Sequence, residues 1–371
     1  MKLVVILPTY NEGENIITLL DALHEVLVGR NDYTISYLVV DDNSPDGTKE
    51  LVTEYQKKHK DVFLVTGKKE GLGKAMVRGM TYAVTHLKAD YLLQMDADLS
   101  HDPMVIPQFF RAIGSGADFV IGSRYIPGGS IPENWGIHRK IFSIVGNAIV
   151  RYGLGCPRVH DWTGGFRLYK KIFFEQIRHE LSQYSGYVFQ IAFLHKSILH
   201  KARIVEVPIH FTDRLHGRSK IAPFEYIKNV LFYVIHARMS YTSTRSLVKF
   251  LIVGSAGFVI NTVVLEIGVF LGFHPAAGSI AGAECAILSN FFLNNAWTFR
   301  ERKIHASNRV IKLLQFNGAS LGAIILQAGI VFLGTHLYGV SEYRVFYIFG
   351  VFVGMIWNYI MYSRVIWKKA A

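Results

Sequence analysis

The sequence predicts an α/β domain built on a mainly parallel sheet, followed by interface helices and an all-α membrane domain of four transmembrane helices. Three observations lead there. In the N-terminal part, short apolar β-rich runs alternate with helix-like segments, a rhythm that belongs to parallel sheets covered by helices. In the C-terminal part, four stretches approach or reach membrane-spanning length: about Phe250 to Leu271, Ala277 to Trp297, Leu313 to Leu333 and Val345 to Ser363. Between these extremes of character, acidic residues collect at the ends of the β-rich runs, where a parallel sheet binds its ligands.

The runs, in order, are "KLVVILP", "ISYLVVD", "VFLVT", "YLLQMD" and "DFVIGS", with helices expected to begin near Glu14, Thr48, Gly73 and Pro103. The chemistry-bearing residues fall at the carboxyl ends: "PTYNE" after the first, "DDNSPDG" after the second, "DAD" after the fourth and "GSRY" after the fifth. A Gly and Pro loop, "PGGSIPENWG", then leads into "IHRKIFSIVGNAIVRYGLG", an amphipathic helix with basic residues near both ends. A further strand in "ARIVEVPIHF" is followed by the basic loop "TDRLHGRSKIAP" and the helix "FEYIKNVLFYVIHARMSY". Both helices suit a membrane interface, with an ordinary core helix the alternative reading, an equal one for the first. The domain boundaries expected are 1–222 for the α/β domain, 223–245 for an amphipathic helix and linker, and 246–371 for the membrane domain.

Composition agrees with this division. An apolar fraction of 50% and a mean hydropathy of +0.24 are high for a soluble enzyme, and the excess lies in the C-terminal part. The first and second stretches carry one acid each, Glu266 and Glu284, and these, with Asn290, Asn294 and Asn295, are expected to face protein or the interface. Arg245 and Lys249 precede the first span, Arg300, Arg302, Lys303, Arg309 and Lys312 separate the second from the third, and Arg364, Lys368 and Lys369 follow the fourth, against Arg344 alone on the other side. That asymmetry places both termini and the α/β domain on the cytoplasmic side of the cell membrane. No secretory signal is read at "MKLVVILPTYNEGEN". Cys156 and Cys285 fall in different domains, which argues against a disulfide or a thiolate metal site. The formal charge of +12 concentrates at the membrane edge and in one loop, so anionic membrane lipid is the expected partner and nucleic acid is not.

Asp96 and Asp98, one residue apart at the end of an apolar run, read either as a solvated strand-end pair or as carboxylates that face a cation. Mg²⁺ or Mn²⁺ beside a diphosphate fits, because such ions take few protein carboxylates plus phosphate oxygens. Tyr10 can stack on a base and Glu12 can accept from sugar or base donors, while Asp41 and Asp42 end the next strand.

Taken together, "PTYNE", "DDNSPDGT", "GLGKA", "MDADLSHDP" and "GSRYIPGG" resemble glycosyltransferase family 2, in particular the polyprenol (dolichol) phosphate mannose synthases, over roughly Lys2 to Lys220. The segments "LVKFLIVGSAGFVIN" and "LSNFFLNNAWTF" resemble the GtrA-like four-helix transmembrane family. The resemblance implies a GT-A (Rossmann-like) fold and inverting transfer of mannose from GDP-mannose to a polyprenyl (dolichyl) phosphate. It also implies donor-nucleotide contacts from Pro8, Tyr10, Glu12, Val39, Asp41, Asp96 and Ala97, with Lys74 approaching the diphosphate. Asp98 becomes the principal metal ligand, with Asp96 a second candidate, and Ser100 stands where some members carry a Gln ligand.

The acceptor asks for cations rather than a base, because a phosphate monoester is already largely ionised near neutrality, its second pKa being about 6. Arginine forks suit that phosphate. The resemblance places Arg124, Arg139, Ser143, Arg214 and Lys220 there, with Arg124 and Arg214 alongside Asp96 and Asp98 in catalysis and Arg218 and His216 as weaker candidates. Asp161, in "HDWTGGFRLYKK", reads equally as a positioning group or a turn-stabilising carboxylate. Two rival functions remain open at this point: glucosyl transfer from UDP-glucose to undecaprenyl phosphate, and a lipid-linked sugar flippase with a non-catalytic sugar-nucleotide domain.

Overall fold

The computed structural model describes residues 1–30, 32–184, 186–213, 223–304, 308–339 and 343–367. It divides into two compact units, Met1–Arg238 and Met239–Ala371. The first contains seven strands: β1 (Lys2–Thr9), β2 (Thr34–Asp41), β3 (Val62–Thr66), β4 (Tyr91–Gln94), β5 (Phe119–Ser123), β6 (Arg167–Lys170) and β7 (Ile204–Pro208). They form one sheet in the order β3-β2-β1-β4-β6-β5-β7. All pairings are parallel except those of β6, which runs antiparallel to both β4 and β5.

The apolar runs are continuous because both faces of this sheet are covered. Val4, Ile6, Leu38 and Val40 enter one core, while Leu3, Val5, Leu7 and Val39 enter the other, as the two-residue period of a strand requires. Helices α1 (Ile16–Leu27), α2 (Thr48–Lys58), α3 (Leu72–Thr85) and α4 (Ile106–Gly114) follow the first four strands, within a few residues of the expected starts. Strand β6 is the addition. Its sequence "RLYK" offers no apolar run, yet Arg167 is fully buried and Lys170 pairs with Asp118 at 2.7 Å.

Helix α5 (Ile137–Gly153) leaves Ile137, Ile141, Phe142, Ile144, Val145 and Tyr152 exposed, an apolar stripe left uncovered by the described residues. Helices α6 (Lys171–Leu181) and α7 (Gly186–Leu199) pack into the core, as does α8 (Pro223–Ser240) through Val230, Tyr233 and Val234.

The second unit consists of α9 (Thr242–Phe270), α10 (Pro275–Leu293), α11 (Arg309–Tyr338) and α12 (Tyr343–Met361). Among the described residues, three helical stretches are long and apolar enough to cross a membrane: Thr244–Phe270, Arg309–Tyr338 and Ile348–Ile366. A cluster of Phe250, Phe291, Phe299, Phe316, Tyr362 and Trp367 holds the helix ends together. Asn295 sits within it, accepting from the Ile304 amide at 2.8 Å and Trp367 Nε1 at 3.0 Å. Asn294 is likewise buried, whereas Glu266 and Glu284 lie exposed on helix surfaces instead of facing protein within the unit.

Candidate active site

Two strand-end loops are stitched to each other first. Asn11 donates its amide to Ser44 Oγ at 3.0 Å, Glu12 to Thr48 Oγ1 at 3.1 Å, and Gly13 to Asp46 Oδ2 at 2.9 Å. Burial works to raise the Asp46 carboxyl, but the Thr48 hydroxyl and the Gly13 and Thr48 amides outweigh it, so its pKa lies below the ordinary value. Asn11 and Asn43 adopt left-handed backbone conformations, which their short amides tolerate. Asp41 is fully buried and accepts from Thr9 Oγ1 at 3.1 Å, Ser44 Oγ at 2.5 Å and Ser44 N at 2.9 Å. The Tyr10 ring lies at the same strand end, with Lys69 Nζ 3.5 Å from its centroid, and the Glu12 carboxylate accepts from Asn15. Pro8 stands opposite Val40 in the register. The Val39 side chain is fully buried in the core, which leaves its backbone to face the strand end.

The "DAD" turn follows β4. Asp98 is 4% exposed, and its Oδ1 accepts from both the amide and the hydroxyl of Ser100, at 3.2 and 2.5 Å. Ser100 therefore holds the carboxylate in place with the hydroxyl that the sequence reading offered to a metal. Between them Leu99 has φ of 60°, strain of roughly 1 kcal/mol or more for a side chain of this kind. The amide of Asp96 donates to His101 Nδ1 at 3.2 Å. Burial drives the His101 pKa down, which keeps the ring neutral and able to accept, and Phe166 stacks on it at 5.1 Å. Gly165 approaches so closely that a Cβ there would lie 2.9 Å from Asp96 Oδ1. Ala97 is buried below. Lys74 pairs with Glu70 at 2.8 Å on the exposed start of α3.

Arg124, just beyond β5, is 8% exposed at its side chain and faces Asp161, which is fully buried. Asp161 accepts from Arg124 Nε at 2.7 Å, Nη2 at 2.8 Å and the Arg124 amide at 3.1 Å, and from the amides of Thr163 and Gly164. Burial alone would raise its pKa, but the Arg124 charge and these bonds hold it below the usual carboxylate value. Glu206 on β7 supports the turn by accepting from the amides of His160 and Asp161. Asp161 therefore stabilises its turn and also fixes the Arg124 side chain.

The other acceptor candidates connect to Arg124 through aromatic side chains. Ser143 Oγ bonds the Tyr125 hydroxyl at 2.5 Å, and Arg139, one turn earlier on α5, lies 3.8 Å from the Trp135 ring centroid and 3.4 Å from Asp213. Trp135 packs edge-on to Phe211 at 6.0 Å, and Phe211 contacts both Arg124 and His101. The carboxylate turn and the cationic group are thereby parts of one assembly. Arg214, Lys220, His216 and Arg218 lie outside the described residues. His101, Trp135, Phe211 and Glu206 were missed in the sequence; the His three residues after Asp98 was the one available signal.

A parallel sheet with carboxylates at its carboxyl ends, joined to a chain of apolar helices, matches two known profiles: "Glycosyl transferase family 2" over residues 4–178 and "GtrA/DPMS, transmembrane domain" over residues 249–367. These define a membrane glycosyltransferase with the GT-A fold. The chain is 35% identical to the dolichol-phosphate mannosyltransferase of Pyrococcus furiosus, with 99% of each chain covered. It is 38% identical to the polyprenol monophosphomannose synthase of Mycolicibacterium smegmatis over 60% of this chain and 81% of that one. The chain belongs to the family that these relatives represent, the family 2 polyprenol and dolichol phosphate mannose synthases. Among solved structures, mannosyl-3-phosphoglycerate synthase from Rubrobacter xylanophilus covers 64% of this chain and 74% of its own at 17% identity, with a TM-score of 0.46, too loose a likeness to argue from.

Proposed function

We propose that this enzyme transfers mannose from GDP-mannose to a membrane polyprenyl (dolichyl) phosphate with inversion, giving polyprenyl phosphate mannose and GDP at the cytoplasmic membrane face. The observation that carries this reading is the end-to-end similarity to the Pyrococcus furiosus enzyme. Pro8, Tyr10, Glu12 and Asp41 line the nucleotide end, with Val39 contributing through its backbone. Asp96 and Ala97 follow beside the nucleotide, and Lys74 turns toward the diphosphate. The donor set at the "DAD" turn fits a hard divalent cation, Mg²⁺ or Mn²⁺: the Asp98 carboxylate would be the principal ligand and Asp96 a second, in a turn braced by the Ser100 hydroxyl on Asp98 and by the Asp96 amide on His101. When bound, the cation supplies positive charge for the departing nucleotide diphosphate.

The chain's own side chains then have defined work. The lipid phosphate needs no general base, so the task is to hold its oxygen in line behind the anomeric carbon and offset repulsion from the donor phosphates. Arg124 suits this because Asp161 fixes its fork, and Arg139, Ser143, Arg214 and Lys220 complete the acceptor set. The exposed apolar stripe of α5 supports contact with the membrane, from which the acceptor comes. We place the catalytic domain at 1–222, the interface helix and linker at 223–245 and the four-span domain at 246–371, with both termini cytoplasmic.

Thermal denaturation of the purified protein with Mn²⁺ and either GDP or UDP tests the donor. Stabilisation by GDP and not UDP is expected. Preference for UDP would move the enzyme to glucosyl transfer.

A further inference from the structure

Among the described residues, one cluster apart from the "DAD" turn has the donors of a metal site. His24 near the end of α1, His59 just after α2 and Asp61 just before β3 present ligand atoms that all lie within 4.8 Å of one another. They sit at the amino edge of the sheet, whereas Asp98 follows the carboxyl end of β4, so a strand's length separates the two places.

The hydrogen bonds of His24 are informative. Its Nδ1 lies 2.8 Å from the Leu20 carbonyl oxygen. A carbonyl only accepts, so Nδ1 carries the proton and the remaining nitrogen, Nε2, meets Asp61 Oδ2 at 3.0 Å. A proton on Nε2 or a metal ion between the two atoms would serve this contact, and of the two only a metal ion also engages the third donor, His59. A backbone carbonyl fixing the tautomer through the far ring nitrogen is also the outer support that metal-binding histidines use.

His59 brings the third donor. Its ring stacks on Tyr55 at 4.1 Å and 9°, lies 4.8 Å from the His24 ring, and Tyr55 is held by donating to Asp21 at 2.6 Å. The His24 and Asp61 side chains are 24% and 42% exposed, which leaves an entry path and room for water at a fourth position. Two imidazoles and a carboxylate suit Zn²⁺ far better than Mg²⁺ or Mn²⁺, which prefer oxygen alone.

We propose that His24, His59 and Asp61 form a second metal site, for Zn²⁺ or a similar transition-metal ion, which ties the ends of α1 and α2 to the start of β3. It is independent of the cation at Asp98 and takes no part in sugar transfer.

The test uses the untagged full chain, stripped with chelator and held in millimolar Mg²⁺ so that the carboxylate turn is occupied by a hard ion. Zn²⁺ is titrated by equilibrium dialysis, with Co²⁺ absorption as a report of tetrahedral coordination. The wild type should bind one Zn²⁺ more tightly than His24→Gln or His59→Gln by at least tenfold, and should show the tetrahedral Co²⁺ bands that both variants lack. Asp61→Asn, the mildest change in volume, should give the same loss, which guards against a folding defect in a histidine variant. Equal Zn²⁺ affinity and identical Co²⁺ spectra across the wild type and all three variants would overturn the proposal.

Discussion

Replacing Asp161 by Asn keeps the shape of the turn and removes the charge opposite Arg124. The two groups meet at 2.7 and 2.8 Å with side-chain exposures of 8% and 0% for Arg124 and Asp161. Charge centres roughly 4 Å apart at an effective dielectric of about 20 attract by about 4 kcal/mol. Stranding one member of a buried pair typically destabilises by about 3–5 kcal/mol. For a unit of this size that corresponds to a fall of roughly 10 °C in the midpoint of its unfolding transition. Calorimetry of the full chain in detergent, following the transition of the α/β unit, measures it. On the acceptor role proposed for Arg124, the same variant should raise the KM for lipid phosphate at least tenfold while leaving the KM for the donor near its normal value. The double variant Asp161→Asn, Arg124→Gln should be less unstable than the sum of the two single changes. A midpoint within 1–2 °C of wild type, or equal loss toward donor and acceptor, would refute the positioning role.

Three further outcomes follow from the same geometry. His101→Phe keeps an aromatic ring against Phe166 but leaves the Asp96 amide without its acceptor, which costs about 1–3 kcal/mol, so the transfer rate should fall roughly tenfold or more in a steady-state assay. Gly165→Ala drives a methyl to within 2.9 Å of Asp96 Oδ1 and should weaken GDP binding measurably by calorimetric titration, whereas Gly164→Ala, whose nearest neighbour would be at 3.3 Å, should do so less. His195 is buried against the Tyr233 hydroxyl, and desolvation lowers its pKa to about 4. The unfolded chain therefore binds the extra proton first: the stability due to neutral His195 is complete above about pH 6.5 and drains away as pH falls toward 4, by about 3 kcal/mol at most. His195→Gln should flatten the unfolding free energy across that window.

The sheet was legible because its strands are buried on both faces and so read as unbroken apolar runs, from "KLVVILP" to "DFVIGS". Strand β6 was not, since its central position depends on Arg167. That guanidinium donates from Nη1 and Nη2 to the carbonyls of Gln190 and Trp162 at 2.7 and 2.9 Å while its Nε is buried without a partner, and burial in the core lowers its pKa to about 10, facts invisible in a local pattern. The layout of the candidate site was legible at strand ends, where Tyr10, Asp41, Asp98 and Arg124 fall as the sequence predicts. It was opaque where one side chain acts through another: Glu206 reaches the Asp161 turn from 45 residues away in sequence, and Phe211 links His101 to Arg124 only after the sheet has formed. Val39 shows the converse, a position that a motif assigns to the ligand while strand alternation turns its side chain into the core.

The most direct measurement of the central claim is lipid-extractable label after incubating the purified protein with polyprenyl phosphate, Mg²⁺ or Mn²⁺, and labelled GDP-mannose or UDP-glucose in parallel. Label from GDP-mannose alone, abolished by chelator and by Asp98→Ala, is the predicted result. Label from UDP-glucose alone, from neither donor, or at an undiminished rate in Asp98→Ala would contradict the account.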